Sequence, residues 1–468
     1  MKKLLILTAP LFFSGCFKQL IPAPTQKPVS VIAANIPGEP DFSLAYDVDS
    51  GRSFFAWAPA PGKETARAMI AAADKTGRTE VLGGAGEAPG ADVIQAEPGL
   101  AMSSSSVYVR WVENSSGTLR LKVAGYDIFG RRTLKESVIA GLSLLVKRHG
   151  VIIPSGGDSA FIAWEDYNTS VNAPYVGIAE TGPEGVRWRA ALGGRAESER
   201  YFSPAIAADG EGGVFAAFRH VHNGDQGIVV RHFNPGGAGW DDDVRAVSVM
   251  GYKSGPKIAA DPHGSLFVIW EDGRSGTLGL YGQKISSAGA VLWDREGRPL
   301  SVSEGNQSNP VMTADGKGGF FCAWLEENKG ARWQLKIQRI GSGGEPAWGP
   351  GGVTVSPSDS RQSSPALIPD DEGGVIIAWN EPRYGGLDVF AQRLSQEGKK
   401  LWKEEGVQVT SGKDDQVAPA MVPDGDGGCV IAWQRRTGKN SWELAAVRLN
   451  PMGFQCGEFT CPIAGESN

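Results

Sequence analysis

The sequence predicts an all-β fold, a single β-propeller of eight four-stranded antiparallel blades. Three observations carry this reading. An aromatic recurs at Trp57, Trp111, Trp164, Phe218, Trp270, Trp324, Trp379 and Trp433, at intervals of 52 to 55 residues. Each later interval holds four short apolar runs separated by clusters of Gly, Pro, Asp and Asn, the signature of strands joined by hairpins. The run ending at each aromatic is apolar at consecutive positions, so it is a strand covered on both faces. Units of this length, each unable to bury its own faces, stack into a ring. The first two copies lack the proline of the later ones and have blurred turns, so seven blades plus an irregular N-terminal segment is the alternative. The spacing of the aromatics favours eight.

The seventh copy, starting SSPALIPDDEGGVIIAWNEPRYGGLDVFAQRLSQEGKKLW at Ser363, shows the elements in order. PALI is the first strand and PDDEGG its turn. VIIAW is the second strand, followed by the polar turn NEPRYGG. DVFAQRLS is the third strand, closed by EGKKLW, and GVQVTS is the fourth. The first strand is introduced by a proline fourteen residues before the aromatic, at Pro204, Pro256, Pro310, Pro365 and Pro419. A proline at a strand start removes no ladder hydrogen bond. The first hairpin carries paired glycines, such as Gly318-Gly319 and Gly373-Gly374, which supply positive φ.

The second strands read SFFAW, VYVRW, AFIAW, VFAAF, LFVIW, FFCAW, VIIAW and CVIAW. Alanine precedes the aromatic in six of them, so a Trp of one blade is expected to fill the space over the Ala of the next. A second series, Trp188, Trp240, Trp293, Trp348 and Trp402, closes the third strand. Trp333 and Trp442 belong to neither series.

The last copy loses the pattern after its third strand, ELAAVRLN, whereas PVSVIAANIPG near the start reads as a fourth strand without a blade. The N-terminal strand is expected to complete the C-terminal blade and close the ring. This divides the chain into a leader (1–15), a Pro-rich tether (16–28), the propeller (29–455) and a tail (456–468). The formal charge is −6 and no basic stripe appears, which argues against nucleic-acid binding.

The start, MKKLLILTAPLFFSGC, has two lysines and an apolar core too short to span a bilayer as a mature helix, which is a signal-peptide pattern. An ordinary secretory signal is one outcome. FSGC also resembles the lipobox of bacterial lipoproteins, which implies cleavage before Cys16 and lipid attachment to it. Phe13 departs from the leucine usual there. Cys322 and Cys429 fall in second strands and read as buried thiols. Cys456 and Cys461 either form a small disulfide in an oxidising envelope or stay as two thiols.

Chemistry-bearing residues gather after the second strand. An acid lies two residues past the aromatic at Glu113, Asp166, Asp272, Glu326 and Glu381, and Arg274 and Arg383 follow two residues later. One reading is a binding face made by Asp166, Asp272, Arg274, Trp333, Glu381, Arg383 and Trp442, with Tyr384 beside it. The other is structural: a feature present in most repeats serves the repeat, with the acids paired to Arg274, Arg383, Lys284, Arg339 or Arg393. His220 and His222 alternate on one strand face and are a weak metal candidate lacking a third ligand. Asp424-Gly425-Asp426-Gly427 resembles part of a calcium loop, but it occupies the first hairpin and reads as a turn. No nucleophile, zincin or nucleotide motif is present in the sequence, and no cofactor is expected.

The pattern DGxGG…AW…D/E-x-R-x-G…DVFAQRL…GxxLW, strongest over 254–450, resembles repeats of large secreted bacterial proteins of propeller type. A looser, architectural resemblance is to the propeller lipoprotein of the outer-membrane protein assembly machine. These imply a secreted propeller and no particular activity. The sequence therefore points to a non-catalytic, lipid-anchored, monomeric binding or scaffold protein of the bacterial cell envelope. Its expected partner is an envelope protein or a glycan. The alternative is a carbohydrate-active propeller, either lectin or glycosidase.

Overall fold

The computed structural model describes residues 29–60, 67–85, 93–104, 106–143, 150–247, 249–328 and 332–456. The described residues contain eight four-stranded antiparallel sheets and no helix. Contacts between successive innermost strands run round the whole ring, back from blade eight to blade one. The architecture is an eight-bladed β-propeller.

Blade one comprises Asp41–Asp47, Arg52–Ala58, Met69–Ala73 and Thr79–Gly84. Blade eight takes three strands from the C-terminal end, Gln416–Pro423, Cys429–Gly438 and Ser441–Leu449. Its outer strand is Ser30–Pro37, paired antiparallel to Ser441–Leu449. Ile32 and Ile36 of that strand are buried in one core cluster with Trp57 and Ala432.

The cores lie between blades, not within them. Each aromatic of the first series shares a cluster with the second strand of the preceding blade: Trp111 with Ala56, Trp270 with Ala217, Trp379 with Ala323 and Trp433 with Ala378. The small residue makes room for the indole, and the direction is Trp over the Ala of the blade before. Cys322 and Cys429 are fully buried free thiols, and burial raises the pKa of both. Cys456 is disulfide-bonded. Its partner lies outside the described residues, as do Cys461 and the Cys16 segment.

The Gly-rich first turns are built round an aspartate. Asp315 accepts the backbone N–H groups of Lys317 and Gly319, both at 2.8 Å, through Oδ1. Its Oδ2 pairs with Arg339 of the third strand at 2.6 Å. The same arrangement joins Asp209 to His232, Asp261 to Lys284, Asp370 to Arg393 and Asp424 to Arg448. Asp424-Gly425-Asp426-Gly427 is therefore one of these turns. Lys284, Arg339 and Arg393 serve this end of the ring and not the acids after the second strands. The two glycines differ in purpose. Gly318 has φ of 85°, whereas a Cβ on Gly319 would sit 2.3 Å from the carbonyl oxygen of Ile340.

Two sequence expectations are corrected. Pro204, Pro310, Pro365 and Pro419 do not start strands. They sit inside innermost strands at β-bulges, where the ladder register shifts. The residue before each, Ser203, Asn309, Ser364 and Ala418, has a positive φ of 50° to 52°. The bulge takes the proline out of the ladder, so its missing N–H costs nothing. The outer strands of blades four to seven are only two residues long, for example Val353–Thr354. Such short edges resist pairing with other chains. A buried glutamine substitutes for the missing ladder: Gln338 donates to Gly349 O at 2.6 Å and accepts Trp348 N at 2.9 Å. Gln283 and Gln392 repeat this.

Candidate functional site at the channel mouth

The innermost strands surround a central cavity of about 1460 Å³, lined by blades one to seven. The bulges set its wall. At three of them the left-handed residue turns its N–H toward the preceding blade, where the residue following the aromatic accepts it; at Ser364 the corresponding residue is Leu325, whose side chain offers no acceptor. Ser203 N donates to Glu165 Oε2 at 2.8 Å, Asn309 N to Glu271 Oε1 at 2.7 Å, and Ala418 N to Asn380 Oδ1 at 3.1 Å. In blades three, four and five the residue following the aromatic, Glu165, Arg219 and Glu271, stands at the channel wall.

The lining carries both charges: Asp41, Glu97, Glu165 and Glu271 against Arg110, Arg219 and Lys257. Arg110 is almost fully buried. Its guanidinium donates to Glu97 O at 3.1 Å and to Gly150 O, and burial lowers its pKa to about 10. Burial, then Glu97, raises the Asp41 carboxyl against the opposing pull of Arg110. Burial likewise raises Glu271 despite the Asn309 N–H and the nearby Lys257 charge. Arg219 lies over the Phe202 ring at 4.7 Å. This surface can hold a polar ligand with alternating charge. Sequence reasoning missed it because the lining residues come from different repeats and share no motif. The bulge prolines were the available signal.

The acids and arginines expected to form the binding face lie at the same end of the ring, but their polar groups are committed to the fold. Asp272 is fully buried. It accepts the Trp270 indole N–H at 2.9 Å and pairs with Arg274 at 2.6 Å. Fully buried Lys253 stands 3.9 Å away. Burial pushes the Asp272 carboxyl up, but the bonds from Arg274 and Trp270 outweigh it, so its pKa is low. Lys253 is shifted down, chiefly by burial. Glu381 repeats the clasp, with Trp379 at 2.9 Å and Arg383 at 2.8 Å. In blade six the Trp324 indole reaches Glu326 at 3.2 Å. Asp166 accepts the Tyr175 hydroxyl at 2.7 Å and the Ser143 N–H. Arg274 and Arg383 also lie over the rings of Tyr281 and Phe390.

Trp333 and Trp442 are half-buried against core clusters, while Tyr384 is exposed. Of the three aromatics named at this face, Tyr384 alone is exposed. His220 and His222 lie on the second strand of blade four, opposite the Glu199–Ala208 strand.

No protein-family model and no curated protein sequence matches the chain. Solved structures similar to it include an endo-arabinase from Bacteroides thetaiotaomicron, at 14% identity over 54% of this chain and 95% of that one, with a TM-score of 0.32. The β-propeller domain of the Trilobed protease from Pyrococcus furiosus aligns at 11% identity over 81% and 97%, with a TM-score of 0.44. The polysaccharide lyase Uly1 aligns at 10% identity over 78% and 92%, with a TM-score of 0.48.

Proposed function

We propose that this protein is a lipid-anchored binding or scaffold protein of the bacterial cell envelope that receives its partner at the mouth of the central channel. The cavity of about 1460 Å³, lined by both charges at one end of a rigid ring, carries the reading. Rigid scaffolds present specific surfaces on variable connections. The turns at this end, such as EDGRSG, LEENKG and NEPRYGG, vary, whereas the Asp–Gly turns at the other end are near copies of each other. A non-catalytic role is supported by the burial of Asp272 and Glu381 in ion pairs, which leaves them unsuited to proton transfer. The partner is an envelope protein or glycan that inserts a polar segment. The test places a photo-crosslinking residue at Lys257, at the channel mouth, or at Met452, an exposed turn at the opposite end. Capture from intact envelopes through position 257 but not 452 is the expected result. Capture through 452 alone overturns the reading.

A carbohydrate-active channel is the second reading, and the raised carboxyls of Asp41 and Glu271 favour it. A protonated carboxyl is what a glycosidase needs as general acid. Release of reducing ends from a glycan panel, lost in Asp41→Asn or Glu271→Gln, would support it.

A further inference from the structure

His220 is a buried histidine, 8% exposed, and neither ring nitrogen has a hydrogen-bond partner among the described residues. Buried polar groups are almost always paired, so an exception asks for a ligand. His220 borders a second cavity of about 510 Å³, separate from the central channel. This cleft lies between the outer strand of blade three, at Leu192 and Gly193, and blade four, at Glu199, Tyr201 and Asp243. Ligating atoms of His220, His222 and Glu199 all lie within 4.8 Å of one another.

The strand register explains the cluster. His220 and His222 alternate along one strand and so share a face. Glu199 is the cross-strand partner of His222, and Tyr201 that of His220. The neighbouring arginines are paired elsewhere, Arg231 with Asp243 at 3.2 Å and Arg245 with Asp225 at 3.0 Å; His222 Nε2 lies 3.1 Å from the exposed Asn223 amide, a contact that a metal displaces if it takes that nitrogen. Glu199 closes no ion pair with lysine or arginine among the described residues. The rings of Tyr201 and Phe218 wall the apolar side, with Tyr201 at 4.6 Å from His220 between centroids. The Tyr201 hydroxyl is held by Asp243 at 3.0 Å.

We infer that Glu199, His220 and His222 bind a divalent transition metal, most suitably zinc, in the cleft between blades three and four. Two imidazoles and one carboxylate form a recognised zinc donor set, and tetrahedral ligands at about 2.0–2.1 Å leave a fourth position for water or an incoming group. Glu199 and His220 line the cleft, through which such a group would enter. Ligands on one zinc ion stand roughly 3.4 Å apart, so side chains now within 4.8 Å of one another close by up to about 1.4 Å on binding. His222 is exposed and Glu199 half-buried, so both can rotate toward the fixed His220.

The test is titration of zinc chloride into chelator-stripped full chain, followed by calorimetry. One zinc per chain is expected. His222→Ala removes an exposed side chain, so folding is retained, and it should weaken binding by at least tenfold. Glu199→Gln should do the same. His263→Ala, at a turn on the opposite end, should leave affinity unchanged. Cobalt substitution should give visible bands of a four-coordinate nitrogen–oxygen site that vanish in His222→Ala. Absence of stoichiometric zinc binding, or equal affinity in wild type, His222→Ala and Glu199→Gln, overturns the inference.

Discussion

Trp348 of blade six donates its indole N–H to the carbonyl of Gln396 in blade seven at 2.9 Å. Its ring packs on the turn beyond, where a Cβ on Gly398 would lie 2.8 Å from the indole. Trp240 to Ser287, Trp293 to Ser342 and Trp402 to Pro451 repeat the bond. Four of the five tryptophans of the second series therefore fasten the rims of blades four to seven each to the next, whereas Trp188 bonds to Glu180 within its own blade; the first series fills the space between second strands.

Trp348→Ala should destabilise the protein by about 3–5 kcal/mol, the range for loss of a large packed aromatic. Trp348→Phe keeps most of the packing and should cost about 1 kcal/mol, the value of the lost hydrogen bond. Gly398→Ala should also destabilise, because φ there is 79° and the methyl meets the ring. Urea unfolding midpoints at constant slope measure all three.

Deleting residues 30–37 should lower stability by several kcal/mol, since it unpairs Ser441–Leu449 and uncovers the cluster holding Ile32 and Ile36. An unchanged melting temperature would show that blade eight stands without its outer strand.

Asp370→Ala should cost about 3 kcal/mol, the lower end for a broken buried pair, because it removes the buried partner of the Arg393 guanidinium and leaves it only the exposed Glu372 at 3.2 Å and the Pro451 carbonyl. The exposed pair Lys75–Asp426 should be worth less than about 1 kcal/mol. A double-mutant cycle on each pair separates them.

Acid should unfold the ring through the same turns. Burial pushes Asp209 and Asp261 up, but the bonds from His232 and Lys284 and from turn N–H groups outweigh it, so both carboxyls lie below their ordinary value. Asp272 behaves alike. A carboxyl depressed in the folded state binds protons more readily when unfolded. Its stabilising effect is therefore complete above its unfolded pKa of about 4 and fades as pH falls through the folded value. Melting temperature should drop steeply below pH 4, and less so in Asp261→Asn.

Cys16→Ala should release the protein from membranes, and mass spectrometry of the mature wild type should find an acylated Cys16 at its N-terminus. An unmodified N-terminus beyond residue 16 would refute the anchor. Peptide mapping without reduction should pair Cys456 with Cys461.

The ring was legible because its cause is periodic: one buried aromatic per blade, preceded by alanine in six of the eight second strands. The turn aspartates were legible as turns, but three of their cations, Lys284, Arg339 and Arg393, were expected at the acids after the second strands instead. Asp315 and Arg339, Asp370 and Arg393, and Asp424 and Arg448 meet across a hairpin, and only their recurring separation of 23 or 24 residues hints at it. The channel wall was illegible. Glu165 meets Ser203, and Glu271 meets Asn309, across blade boundaries, where no local propensity acts. Glu199 escaped notice beside His222 because the bulge at Ser203 shifts the register of their strands.

Closure by Ser30–Pro37 changes the arithmetic of the array. A linear stack has one interface fewer than it has repeats, and its two terminal units need polar outer faces to stay soluble. This ring has as many interfaces as blades, with Trp57 seated against Ala432 across the join. No blade is a terminus and none needs a cap. The weak first two copies are therefore held by neighbours on both sides, and their sequences are free to drift further from the consensus than those of an end unit could.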